Sequence, residues 1–230
     1  MTIKERMESI KERMEKAAVN SGRNPSDIRL MGISKFHDAG VVEAAIKEGL
    51  FLFGESRVQE AEKKFPVLRE SYPQLELHMV GHLQRNKVKT AIKLFDGIQS
   101  LDRDEVITAL GKTAAACKVL LEMHTGEESK AGYPDTDSLS RAAELVLSFP
   151  QLKLSGLMTM APFTRDNAEI RRSFKKLVIA RDLLQRRFPN ADFFCLSMGM
   201  TNDFEIAIEE GSTLIRIGTA LFGEPHGGVD

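Results

Sequence analysis

The stretch "FFCLSMGMTND", Phe193 to Asp203, and its successor "STLIRIGTALFG", Ser212 to Gly223, decide how the chain is read. Each opens on an apolar run of strand character and breaks into a glycine-containing loop. In the first, the Ser197 hydroxyl, the flexible Gly199 backbone and a capping pair, Asn202 with Glu205, describe an anion site at the start of a helix. In the second, Gly218 lets a phosphate approach the backbone, and Thr219 adds a hydroxyl and an N–H. Either glycine loop alone also reads as an ordinary tight turn. Their joint occurrence carries more weight, because phosphate sites in (β/α)₈ barrels are frequently formed by the loops after strands seven and eight.

Counting outward, these are the last two of eight apolar runs. The others are Ile28 to Ser34, Leu50 to Phe53, Leu75 to Val80, Gly97 to Leu101, Lys118 to His124 and Leu152 to Met160; the last two strands run Phe193 to Ser197 and Thr213 to Ile217. Most lack clean alternation, as strands buried on both faces do. Helical patterns lie between them: Asp38 to Glu48, Arg57 to Glu70, and Asn167 to Phe188, which is expected to bury Ile170, Phe174, Leu177, Leu184 and Phe188. A further helix precedes the first strand, from Ile3 to Ala18, with Ile3, Met7, Ile10 and Met14 on one stripe. The expectation is an α/β protein: a single (β/α)₈ TIM barrel spanning residues 1–230 with an extra N-terminal helix, close to the typical ~250 residues of that fold. A doubly wound sheet is the alternative, which strand count does not exclude.

The chain has 230 residues, 42% of them hydrophobic, and a formal net charge of −1. That is enough to bury a sizeable core, and it offers no positive field that points to nucleic acid or an acidic membrane. The two cysteines, Cys117 and Cys195, lie inside apolar runs without metal-type spacing or a disulfide framework. The N-terminus "MTIKERMESIKERMEK" is too charged for a signal peptide, and no apolar run approaches the ~18 residues that span a bilayer. A cytoplasmic protein is the expectation.

At the end of the first strand stands Lys35. A desolvated lysine there would point into the barrel mouth and act as a nucleophile toward carbonyls, forming a Schiff base; a lysine snorkelling to the rim is the plain alternative. Strand alternation puts Arg216 on the same face as Gly218. A guanidinium inside a barrel needs an acceptor: a phosphate, an aromatic ring nitrogen, or a core carboxylate such as Glu55. A phosphate site, an aldehyde-reactive amine and a cation for a ring nitrogen together describe pyridoxal 5′-phosphate, PLP.

Seven ordered motifs carry a resemblance: "ISK" at 33–35, "FGES" at 53–56, "HMVGHLQRNK" at 78–87, "GEESKAGY" at 126–133, "GLMTM" at 156–160, "LSMGMTND" at 196–203 and "GSTLIRIGTALFG" at 211–223. The chain resembles the YggS/PROSC family of pyridoxal phosphate homeostasis proteins. The resemblance implies a fold-type III barrel like the N-terminal domain of bacterial alanine racemase. It implies a covalent aldimine of PLP at Lys35, Ser197, Gly218 and Thr219 on the phosphate, and Arg216 facing the pyridine nitrogen; Gly199, Ser56 and Met158 complete the expected pocket. Two positions depart from the family's habit. Ser56 and the neighbourhood of His124 stand where asparagine is usual.

His78 and His82 straddle a strand end, which disfavours a metal site, and "QRNKVK", 84–89, reads as a helix start with solvated charges. Met158 and Met160 also read as barrel packing. Three functions compete: a PLP carrier, a racemase or lyase using the same aldimine, and a phosphosugar enzyme in which Lys35 attacks a substrate carbonyl. A two-base racemase needs a proton-transfer group opposite the lysine. The sequence runs only "EPHGGVD" beyond Gly223, and neither Tyr72 nor Tyr133 is an obvious opposed base. A cation beside the ring nitrogen also disfavours its protonation and weakens it as an electron sink. The expectation is therefore a non-catalytic carrier, a monomer or weak dimer, with PLP-dependent apoenzymes as recipients and neither nucleic acid nor membrane as partner.

Overall fold

Eight parallel strands close on themselves in sequence order, β1 to β8, with β8 pairing back onto β1. The strands are β1 Arg29–Ile33, β2 Leu52–Glu55, β3 Glu76–Met79, β4 Gly97–Leu101, β5 Cys117–Glu122, β6 Leu152–Met158, β7 Cys195–Ser197 and β8 Leu214–Ile217. The computed structural model describes residues 1–113, 115–126 and 131–224. The closed order decides against the doubly wound sheet.

The expected strands hold with small shifts, and the largest has a clear cause. The second was expected at Leu50 to Phe53 but begins at Leu52. Gly49 ends the preceding helix in a left-handed conformation (φ 88°), and Leu50 N–H bonds back to Ala45 O. Leu50 thus belongs to a helix end, and the strand runs on into Gly54-Glu55.

The helices are α1 Ile3–Asn20, α2 Ala39–Lys47, α3 Val58–Ser71, α4 Val88–Leu94, α5 Asp104–Gly111, α6 Thr136–Leu147, α7 Asn167–Arg187, α8 Phe204–Glu209 and α9 Thr219–Phe222. A Thr2–Glu5 capping box opens α1. It buries Met7, Ile10 and Met14 as the stripe required, and packs on α8 and α9. In α7, Ile170, Phe174, Leu177 and Leu184 are buried, while Phe188 caps the helix half-exposed. None of the described helices is long and apolar enough to cross a membrane.

The apolar core is a shell between strands and helices, including Phe53, Phe65, Leu77, Ile98, Val119, Phe174, Ile215 and Ile217. Inside the strands lies a second, small apolar cluster: Met31, Leu52 and Leu214, with Ile33, Val80 and Cys195 against it. Around that cluster the lumen is polar. Gln99, Ser197, Glu122 and Arg216 are all buried there.

Candidate functional site at the barrel mouth

Lys35 lies two residues beyond Ile33, the last residue of β1, in the turn that follows the strand. Its side chain is exposed, with Nζ 5.8 Å from the Phe36 ring centroid. The expected desolvation is absent; the amine stands open at the rim. The turn that carries it is held firmly. Phe36 adopts φ 67°, uncommon for a bulky residue, and its N–H donates to Glu60. Behind the turn, the buried Lys64 ammonium donates to Ser34 O (2.9 Å), His37 O (3.0 Å) and Glu55 Oε1 (2.5 Å). Ser34 Oγ donates to the same carboxylate oxygen at 2.7 Å. Burial holds the Glu55 carboxyl above its usual range, with Lys64 and then Ser34 pulling it back. Glu55 Oε2 has no partner. Lys64 escaped the sequence reading because a lysine at that helix position reads as solvated; its signal is the spacing of nine from Glu55, which crosses from strand to helix.

Arg216 is buried, and its acceptors are not Glu55. Nη1 donates to Ser197 O and Ser197 Oγ, both at 2.7 Å, and Nη2 donates to Thr159 O at 2.8 Å. Of five guanidinium N–H bonds, the Nε–H and one on Nη2 take no acceptor among the described residues. Burial lowers the Arg216 pKa, opposed first by Glu122 and then by Asp203. Glu122, at the end of β5, is pushed up to about 7 by burial; Asp102 adds to the rise and Arg216 opposes it. Met158, also buried, registers between Glu122 and Ser197.

Ser197 is fully buried, and its hydroxyl is committed to Arg216 and to Gln99 Oε1 at 2.6 Å. Gly199 serves packing: with φ 96°, a Cβ there would stand 2.6 Å from Ala207 Cβ. The Asn202–Glu205 capping pair does not form. Asp203 is the N-cap of α8, its Oδ1 accepts from Met200 N–H, and Glu205 pairs with Arg13 at 2.6 Å.

After β8 the picture differs. A Cβ on Gly218 would find ordinary contacts, Ile33 O at 3.5 Å, so no protein atom demands the glycine. Leu221 and Phe222 N–H close on Gly218 O, and Ala220 N–H reaches Thr201 Oγ1 at 3.4 Å. The Gly218 and Thr219 N–H groups take no acceptor among the described residues. Thr201, which sequence reading did not single out, thus brings its hydroxyl beside Gly218 and Thr219.

Ser56 is half-buried and lines a cleft of about 580 Å³ with Arg57, Gln84 and Lys87. His124 is half-buried and its Nδ1 has no partner. His78 and His82 diverge, one buried in the lumen and the other on Asp102 at the surface. Tyr133 is buried and donates to Asp104 on α5. Tyr72 donates to Glu43. Part of the "GEESKAGY" motif, 127–130, lies outside the described residues, as does the tail beyond 224.

The family model described as alanine racemase, N-terminal domain, matches residues 6–225. The pyridoxal phosphate homeostasis protein of Aquifex aeolicus is 40% identical over 228 residues, 97% of this chain and 99% of that one. The structure of PipY from Synechococcus elongatus, solved with PLP bound, superposes with a TM-score of 0.83 at 31% identity, covering 96% of this chain and all of that one. An alanine racemase of Clostridium difficile shares the fold, with a TM-score of 0.75 at 14% identity; this chain spans 55% of it.

Proposed function

Because the chain belongs to the pyridoxal phosphate homeostasis proteins, built on the alanine racemase N-terminal domain, we propose that its barrel mouth holds PLP and releases it to other proteins. The observation that carries this reading is the juxtaposition of β1 and β8. Lys35 stands two residues past the end of β1, and Arg216 and Gly218 stand at the end of the paired β8, with Gly218 beside Ile33. The residues present fit the group. Gly218 leaves space that a Cβ would fill, two N–H donors there lack acceptors, and Arg216 turns two free N–H bonds away from its anchors.

In this reading Lys35 is the amine that captures the aldehyde; being exposed, it is open to an incoming carbonyl. Gly218 and Thr219 donate to the phosphate through N–H groups, and Thr201 adds a hydroxyl. Ser197 and Gly199 act one layer back, Ser197 by orienting Arg216 and Gly199 by seating α8. Arg216 faces the ring nitrogen, and its charge disfavours protonation there. Bound PLP supplies an electrophile and, with that nitrogen unprotonated, a weakened electron sink. Tyr133 is tied to Asp104 and so does not serve as an opposed base. These points support a carrier without substantial amino-acid turnover, with PLP-dependent apoenzymes as recipients.

The test is borohydride reduction of PLP-loaded protein followed by peptide mapping. The pyridoxyl group should sit on Lys35 and be absent from Lys35→Ala. Finding it on Lys87 overturns the assignment. Turnover of order 1 s⁻¹ on L-amino acids, abolished by Lys35→Ala, overturns the carrier reading.

A further inference from the structure

A line of hydrogen bonds crosses the lumen from Arg216 to the opposite end of the barrel. Arg216 Nη1 donates to Ser197 Oγ (2.7 Å), Ser197 Oγ donates to Gln99 Oε1 (2.6 Å), Gln99 Nε2 meets His78 Nδ1 (2.8 Å) and His78 Nε2 meets Glu76 Oε1 (2.9 Å). Arg29 closes the line on Glu76 Oε2 at 2.5 Å. It runs from β8 through β7 and β4 to β3 and β1. Its far end lines a cavity of about 390 Å³ with Lys118, Asp192 and Cys195.

Elementary valence gives this line one direction. A guanidinium only donates, so Ser197 Oγ accepts from Arg216 and spends its proton on Gln99 Oε1. The Gln99 amide therefore presents its NH₂ to His78. That NH₂ only donates, so His78 Nδ1 carries a lone pair and the ring proton sits on Nε2. Glu76 then accepts from both His78 and Arg29. Its carboxyl is held down at about 2, first by the His78 bond and then, against some cost of burial, by Arg29. The opposite orientation of Gln99 would turn its NH₂ toward Ser197 and leave the Ser197 proton without this acceptor.

We propose that Gln99, oriented by His78 and Glu76, is a positioning residue for Arg216: it keeps Ser197 Oγ an acceptor and so aims the two free guanidinium N–H bonds at the barrel mouth. The proposal rests on the reading that Arg216 faces the PLP ring; the orientation of the line does not. Besides these partners, the titratable groups facing Arg216 are Glu122 on β5, Asp203 at the start of α8 and Cys195 on β7. Among the described residues none of these hydrogen-bonds to Gln99. Gln99 is therefore the handle that moves Arg216 without altering its counter-charges.

Two measurements test this. In cofactor-free protein, long-range ¹H–¹⁵N NMR should find His78 with its proton on Nε2. A proton on Nδ1 overturns the inference whether or not PLP binds. In PLP-loaded protein, Gln99→Leu should leave uptake at Lys35 stoichiometric but move the pH midpoint of the bound chromophore by at least about half a unit. Gln99→Glu is no neutral control, because it sets a new carboxylate one hydroxyl away from Arg216. A Gln99→Leu midpoint equal to wild type overturns the inference. If Gln99→Leu does not fold, His78→Phe is the second variant and must shift the midpoint in its place. Wild-type protein that takes up no PLP defeats the proposed function instead, and the His78 tautomer still decides the line.

Discussion

Replacing Lys64 with methionine should cost about 3–5 kcal/mol at neutral pH, the usual penalty for breaking a buried ion pair from one side. The Lys64 side chain is 9% exposed and that of Glu55 is fully buried. All three ammonium hydrogens are used, on Ser34 O, His37 O and Glu55 Oε1. Methionine keeps the apolar stem but strands two carbonyls and a carboxylate. The sign with pH follows from Glu55. Its folded-state pKa is already raised by burial, so the folded chain binds that proton more tightly than the unfolded chain. Stability therefore falls as pH rises from the unfolded value of ~4.3 through the folded one. Without Lys64 the folded value climbs further, so the variant should lose more at pH 7.5 than at pH 5.5. Urea unfolding at both values measures this. Adding Glu55→Gln should recover at least about 2 kcal/mol, since no charge is then left buried. A loss under about 1 kcal/mol, equal at both pH values, would refute the reasoning. Because Lys64 clamps both ends of the Lys35 turn, the single variant should also retain less borohydride-fixed PLP.

Glu122, at about 7, gives a second pH dependence. Its folded value lies above the unfolded ~4.3, so it makes stability decline as pH rises toward 7; Glu122→Gln should flatten that part of a urea-midpoint series between pH 5 and 8. The two site glycines should separate. Gly199→Ala, at φ 96° and with Ala207 Cβ at 2.6 Å, should lose about 2 kcal/mol or more in urea unfolding. Gly218→Ala should cost about 1 kcal/mol or less and instead weaken PLP binding at least several-fold by fluorescence titration. Tyr133→Phe should lose about 1.5–3 kcal/mol, the value of a hydrogen bond to a charged group, with the PLP absorption spectrum unchanged.

Much of the fold was legible because barrel strands are short apolar runs separated by helical ones. Gly97 to Leu101 was placed to the residue, and the α1 stripe was read from four side chains. The errors have local causes. Leu50 was taken into a strand because apolarity alone does not distinguish a strand start from a buried helix end. Asn202 was preferred to Asp203 as a cap although both residue types cap well. At the site, alternation put Arg216 on the face of Gly218, and Arg216 is buried; Lys35, expected at the end of the first strand, stands two residues past β1 with its side chain exposed. Their surroundings were not legible. Lys64, Gln99 and Glu122 are polar residues whose burial depends on partners 9 to 98 residues away, and no local pattern announces a partner at such distance.

The polar line through the lumen has a kinetic consequence. Its Ser197–Gln99 bond joins residues 98 apart, and it exists only when β3, β4, β7 and β8 stand together in register. An open, half-formed sheet gains nothing from it, so it should be absent from the folding transition state. Interactions made that late leave the folding rate almost untouched and act on the unfolding rate. The apolar shell outside the strands behaves differently, because neighbouring strand–helix units can bury it before the ring closes. The shell therefore governs how fast the barrel forms, and the lumen governs how long it stays closed.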